Sequence, residues 1–216
     1  MTETLTVVLR VAALTIAALV PLINPAGTAP IFLSLTHGET DRARSALAAR
    51  VARNVLILLV GAMLGGSLVL LFFGLTLAEI RIAGGLLVIA TAWDLMHTDQ
   101  RPDATIVALS RQATDPAALY PLTFPVTIGP GSLTVAVTLG AGGTHATTAS
   151  LIGAITGSVI VAFIVYLCYR FAARAAKMLG HAGTLVLFRL SAFILLAVGV
   201  KILCDGLVAR FASGSA

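Results

Sequence analysis

Charged side chains are scarce in this chain of 216 residues: Asp, Glu, Lys and Arg make up 11% of it, whereas soluble domains carry roughly 25%. The remainder is apolar to a matching degree, with 58% hydrophobic residues and a mean hydropathy of +1.02. A surface with so few charges cannot face water over most of its area, which excludes a soluble enzyme and predicts a protein embedded in lipid. Cysteine is nearly absent too. Cys168 and Cys204 lie far apart with no C-x-x-C spacing, so neither a redox pair nor a zinc site is expected.

The charges that exist divide the chain. Residues 11–38, 54–78 and 116–169 contain none, and the last run is long enough for two spans of about 20 residues each. The small polar stretch Ala141-Gly-Gly-Thr-His-Ala-Thr-Thr-Ala149 supplies the turn between them. Runs such as Asn54-Val-Leu-Ile-Leu-Leu-Val60 do not alternate apolar and polar residues as barrel strands do, so the spans are helices. The punctuation predicts an all-α, polytopic membrane protein with six spans: about 5–36 (interrupted), 50–73, 76–97, 117–140 (interrupted), 147–170 and 184–208. All six form one membrane domain over 1–216, with repeat 1 at about 1–98, a linker at about 98–116 and repeat 2 at about 117–216.

The net charge of +5 does not indicate nucleic-acid binding, because Lys and Arg cluster in the short connections between spans. Those after spans 1, 3 and 5 carry Arg42, Arg44, Arg50, Arg53, Arg101, Arg111, Arg170, Arg174, Lys177 and Arg189, against Arg10, Arg81 and Arg210 on the other side. The asymmetry predicts that the first set is cytoplasmic and that both termini are not. The N-terminus lacks a basic start and its apolar stretch outruns a cleavable signal, so the first span is expected to be retained.

Six of the eight prolines occupy two segments, Pro21-Leu-Ile-Asn-Pro-Ala-Gly-Thr-Ala-Pro30 and Pro121-Leu-Thr-Phe-Pro-Val-Thr-Ile-Gly-Pro130. Each lies in the first helix of a three-helix half, which reads as a duplication. An odd number of spans per half forces the second half to enter from the opposite side, so the halves form inverted three-helix repeats with interrupted helices 1 and 4. Broken backbone within a bilayer survives only where protein buries it or it lines a cavity, and paired breaks near the midplane point to a transporter site. Asn24, Thr28, Ser34 and Thr36 surround the first break, and Thr123, Thr127, Ser132 and Thr134 the second. Either set would bond its own helix, or a solute.

Three segments together, Asn24-Pro-Ala-Gly-Thr-Ala-Pro-Ile-Phe-Leu-Ser-Leu-Thr36, Arg81-Ile-Ala-Gly-Gly-Leu86 and Pro121-Leu-Thr-Phe-Pro-Val-Thr-Ile-Gly-Pro-Gly-Ser132, resemble the MarC family of bacterial inner-membrane proteins over nearly the whole chain. The family positions matched are Asn24, Pro25, Gly27, Pro30, Gly129, Pro130, Gly131 and Ser132. The resemblance implies a six-helix protein of the bacterial inner membrane, related to the LysE-type transporter superfamily. It also implies small neutral amino acids as the substrate class.

Substrate contacts are therefore expected at those eight positions together with Thr28 and Thr127, with Asp94 as the candidate for coupling to protons; carbonyls and hydroxyls at the breaks would serve sodium. Asp94 has a second reading as an interfacial partner of Arg42 or Arg44. Lys201 and Asp205, four apart on the last helix, are expected to pair. No carboxylate lies at either break, so no metal is expected, and no cofactor or catalytic set is evident. The pairs Gly61-x-x-x-Gly65 and Gly153-x-x-x-Gly157 are expected to pack closely within the bundle, or else to form a homo-oligomer contact. The expected function is transport or export of a small neutral or zwitterionic solute by alternating access. The alternative is a non-transporting membrane protein that assembles with or stabilises a partner complex.

Overall fold

The computed structural model describes residues 2–36, 38–97, 118–119, 122–141 and 148–214. The linker at 98–116, Pro121, most of the turn at 141–149, and His37 and His145 lie outside the described residues.

The chain is an all-α, multi-pass membrane protein. Its elements are α1 (Thr2–Ile23), α2 (Pro25–Leu35), α3 (Asp41–Phe73), α4 (Leu77–His97), the short α5 (Leu122–Thr127), a π-helical segment interrupted by the extended Phe124 (φ −122°, ψ 127°), α6 (Pro130–Gly140), α7 (Thr148–Arg170) and α8 (Ala172–Gly214). Among the described residues, five helical stretches are long and apolar enough to cross a bilayer: α1, α3, α4, α7 and Arg189–Ala212 of α8. The fourth expected span appears as α5 followed by the 11-residue α6. Two boundaries differ from the sequence reading. Helix α3 begins nine residues earlier than expected, where Thr40 caps it by accepting from Ala43 N–H at 3.2 Å. Helix α8 begins at Ala172 rather than 184, and is broken at Gly180, whose φ of 64° is open to glycine.

Helix ends follow local chemistry. Gly74 closes α3 in the left-handed conformation. Thr76 and Glu79 then form a capping box at the start of α4: Thr76 N–H donates to Glu79 Oε2 at 2.8 Å, and Glu79 N–H to Thr76 Oγ1 at 3.4 Å. Glu79 thus helps to cap α4.

Close approach through glycine sets the packing. Gly153 of α7 lies against Val8 and Val11 of α1, and Gly157 against Ala12 and Thr15, so α1 and α7 run parallel. Gly206, Lys201's neighbour Leu203, and Gly199 of α8 meet Ile82, Gly85 and Ile89 of α4 in reverse order, so those helices run antiparallel. Both directions are those required of spans 1 and 5, and of spans 3 and 6. The expectation fails for Gly61 and Gly65, which face open space; α3 instead uses Gly66, packed on Val137 of α6. The main core gathers Leu19, Phe32, Leu59, Leu122 and Tyr169 from α1, α2, α3, α5 and α7, and Ile128 from the joint between α5 and α6. Outward faces are apolar, with Leu71 and Phe72 80% and 83% exposed, as lipid contact requires.

Candidate functional site

The first helix breaks at Asn24, not at a proline. Pro21 lies inside α1 without interrupting it, and Asn24 takes a left-handed conformation with φ 46° and ψ 55°. Asparagine is one of the few side chains that tolerates this region. Its Oδ1 accepts from Gly27 N–H at 3.2 Å, capping α2, while Pro25 occupies the first helical position, where a missing N–H costs nothing. A methyl group at Gly27 would collide with the Asn24 amide and push it out of its cap. Asn24 therefore has a packing role that its sequence context does not show. Its Nδ2 makes no hydrogen bond among the described residues.

The second break is built differently. Gly129 is extended, with φ −90° and ψ 172°, gives α6 no side-chain cap, and is followed by Pro130 at the first helical position. Pro25 and Pro130 thus open two helices of equal length, 11 residues each. Each of these two prolines opens a helix, whereas aligning the two proline segments residue by residue pairs Pro130 with Pro30, an interior residue of α2. Gly131 packs on Val88 of α4 and near Leu22 at the end of α1, so the second break reaches the first. Ser132 is buried, and its hydroxyl has no partner among the described residues.

The two broken segments meet at Tyr169, a residue that sequence reasoning missed. This side chain is wholly buried near the end of α7. Its hydroxyl lies 3.0 Å from Thr28 Oγ1 of α2 and 2.7 Å from Thr127 Oγ1 of α5, and its ring stacks on Phe32. Thr28 Oγ1 also lies 3.1 Å from Asn24 O, and Thr127 Oγ1 lies 2.6 Å from Leu122 O. Thr28 Oγ1 also lies 3.5 Å from Pro25 O, so five contacts converge on three hydroxyl protons, and every arrangement leaves at least two contacts without a proton of their own. Asn24 O is the acceptor that can spare its share, because Thr28 N–H already donates to it at 3.0 Å. The junction is a neutral hydroxyl network with slack in it.

The remaining candidates lie apart from this junction. Thr36 bonds Phe32 O and accepts from Arg44 Nε at 3.3 Å. Ser34 bonds Ile31 O, Thr123 bonds Ala118 O, and Thr134 bonds Pro130 O beside Gly84. Asp94 is exposed, two residues and so about 200° around α4 from the buried Ala92, and it makes no ion pair among the described residues. Arg44 pairs with Asp41 instead, at 2.8 Å. Lys201 and Asp205 do pair, at 2.9 Å. Among the described residues no three His, Cys, Asp or Glu side chains gather as a metal ion would need.

Comparison with known proteins places this architecture. Residues 9–211 match the family described as MarC family integral membrane protein. A UPF0056 membrane protein of Archaeoglobus fulgidus is 28% identical over 197 residues, 89% of this chain and 90% of its own. The UPF0056 membrane protein YvbG of Bacillus subtilis is 28% identical over 87% of this chain and 90% of its own. The UPF0056 inner membrane protein MarC of Salmonella typhimurium is 27% identical over 89% and 92%. No solved structure matches. With the family pattern extending over almost every described helix, this chain belongs to the MarC family of integral membrane proteins.

Proposed function

We propose that this protein moves a small neutral or zwitterionic solute across the inner membrane by alternating access of two inverted halves. The observation that carries the reading is Tyr169, whose one hydroxyl joins Thr28 after the first break to Thr127 before the second. A junction between two interrupted helices, centred on the buried Tyr169 and Thr127 and held by hydroxyl groups without charge, suits a contact that opens and closes in each cycle. Two polar groups at the breaks without a partner among the described residues, Asn24 Nδ2 and Ser132 Oγ, suit a solute with both acceptor and donor groups. Packing adds support for inverted halves: the first span (α1 with α2) packs on α7 as the fourth (α5 with α6) does on α3, α2 packs on α8 as α6 does on α4, and α3 on α7 and α4 on α8 pair with themselves under the exchange.

In this reading Asn24, Thr28 and Thr127 orient the solute beside the backbone of Pro25, Gly27, Pro30, Gly129, Pro130, Gly131 and Ser132. Asp94, on the outer face of α4, has no direct part in it; sodium held by carbonyls and hydroxyls is the better supported coupling than a proton on Asp94. No catalytic step is assigned.

The test is a screen of small neutral amino acids on purified protein in liposomes, with and without proton and sodium gradients. Flux is expected that Asn24→Ala and Gly129→Leu each cut at least tenfold in folded protein. Undiminished flux in both variants would remove the solute from the breaks. No flux for any solute, with a defined protein co-purifying, would favour the role of a partner-stabilising subunit.

A further inference from the structure

The strongest feature that the breaks leave unused is a cavity of about 910 Å³ at the opposite end of the bundle from the α3–α4 turn, between the start of α3, the end of α7 and the start of α8. Arg42, Arg170, Arg174 and Lys177 line it, with Asp41 the only carboxylate among the described lining residues. Asp41 is already held by Arg44, which does not line the cavity. None of the four lining cations has a carboxylate partner among the described residues. Four cations around one cavity repel one another, and an arrangement of this kind is stabilised by an anion.

The cations are also held in place. Arg170 Nη1 donates to Tyr166 Oη, and its guanidinium lies 5.6 Å from the Tyr166 ring centre and 5.7 Å from that of Phe171. The Arg174 guanidinium lies 5.5 Å from the Phe171 ring centre. Such contacts fix planar guanidinium groups for the forked recognition of phosphate oxygens.

From the cavity an apolar strip continues into the membrane. On α7, Phe163 and Val159 follow Tyr166 at helical spacing and are 57% and 47% exposed; on α3, Ile57 lies two turns beyond Ala49 on the same face and is 60% exposed. A free anion has no use for that strip, but a lipid does: its phosphate fits the cationic cavity and its acyl chains fit the strip.

We propose that this cavity is a binding site for the phosphate head group of an anionic phospholipid. Basic pockets between spans at the membrane surface recognise such head groups through this combination of charge and apolar surface. The site is separate from the Tyr169 junction and does not depend on transport.

The test uses full-length protein in neutral detergent, with lipid retention read by native mass spectrometry and the thermal midpoint read in parallel. Phosphatidylglycerol is expected to bind and raise the midpoint, phosphatidylcholine to do neither, and inorganic phosphate alone to do neither. The triple variant Arg170→Gln, Arg174→Gln, Lys177→Gln is expected to weaken phosphatidylglycerol binding at least tenfold. Removing as many charges at the other end, as Arg10→Gln, Arg81→Gln, Arg210→Gln, is expected to leave it unchanged. Equal loss in both triple variants would reduce the effect to net charge and overturn the site, and so would undiminished binding in the first. Binding of inorganic phosphate as strong as that of the lipid would overturn the lipid and leave a soluble anion. If the first variant does not fold, the wild-type preference for phosphatidylglycerol over phosphatidylcholine decides, and its absence overturns the proposal.

Discussion

The rings of Phe32 and Tyr169 stack with centroids 4.4 Å apart and planes 12° from parallel. Phe32 belongs to the short helix after the first break and Tyr169 to α7, so the stack fixes where the tyrosine hydroxyl points. Both rings are wholly buried, and the hydroxyl reaches Thr28 and Thr127 only because the ring is held from one side. The stack provides rigidity and the hydroxyl provides the link between halves, and the two are separable by mutation.

Tyr169→Phe keeps the stack and removes the link. The two threonine hydroxyls retain their carbonyl partners, so the expected cost is about 1–2 kcal/mol of stability. Tyr169→Ala removes the stack as well and should cost about 3–5 kcal/mol. Denaturant unfolding in mixed micelles measures both. Equal losses in the two variants would mean that the hydroxyl, not the packing, holds the segments together.

Asn24 combines a left-handed backbone with a helix cap, and two substitutions pull these apart. Asn24→Gly loses only the cap, because glycine adopts φ 46° freely, and should cost less than about 1 kcal/mol. Asn24→Ala loses the cap and adds a left-handed strain of about 1–2 kcal/mol. Solute flux discriminates further: if Nδ2 contacts the solute, the glycine variant loses flux while staying nearly as stable as the native protein. Retention of full flux in Asn24→Gly would leave the asparagine a purely structural role.

The spans were legible because lipid dictates composition: no stretch between Asn54 and Phe73 could hold a charge without cost, so the charges mark the ends. The breaks were legible as segments but not as positions. Three prolines in each segment compete for the interruption, and the outcome turns on Asn24 tolerating a left-handed backbone and on Gly129 being extended, neither of which proline spacing encodes. Tyr169 was not legible. In Tyr166-Leu-Cys-Tyr-Arg170 it reads as an aromatic at a membrane boundary, and its meeting with Thr28 and Thr127 follows from packing between residues 141 and 42 positions apart. The motif at Gly61 and Gly65 was misleading for the opposite reason: spacing marks a smooth face, and the face that α3 buries is set by Gly66.

That contrast among glycines is measurable. Alanine at Gly157 would meet the Ala12 carbonyl and Thr15, and alanine at Gly140 would meet the backbone of Met63; each should cost about 1–3 kcal/mol because backbone cannot yield as a side chain can. Gly61→Ala and Gly65→Ala meet open space and should be neutral or stabilising by up to about 1 kcal/mol through helix propensity. Unfolding of the four variants in one detergent ranks them. A large loss at Gly61 or Gly65 in that assay would reveal a contact with a second copy of the chain.

Lys201 and Asp205 form an ion pair on the outer face of α8, with side chains 74% and 52% exposed. In water such a pair would be worth little. Here α8 runs antiparallel to α4, with Gly206 beside Ile82 and Gly199 beside Ile89, which puts Lys201 level with Leu87, ten residues into α4. At 1.5 Å per residue this is about 15 Å, close to half the thickness of the hydrocarbon layer. Each charge neutralises the other where water cannot, so the partners should be strongly coupled. Lys201→Leu or Asp205→Leu alone leaves an uncompensated charge facing lipid and should cost about 2–3 kcal/mol in bilayer-like bicelles. The double variant Lys201→Leu, Asp205→Leu should cost less than either single change, since no charge remains to be desolvated. Additive losses would show that each side chain is solvated independently, by snorkelling to the surface rather than by its partner.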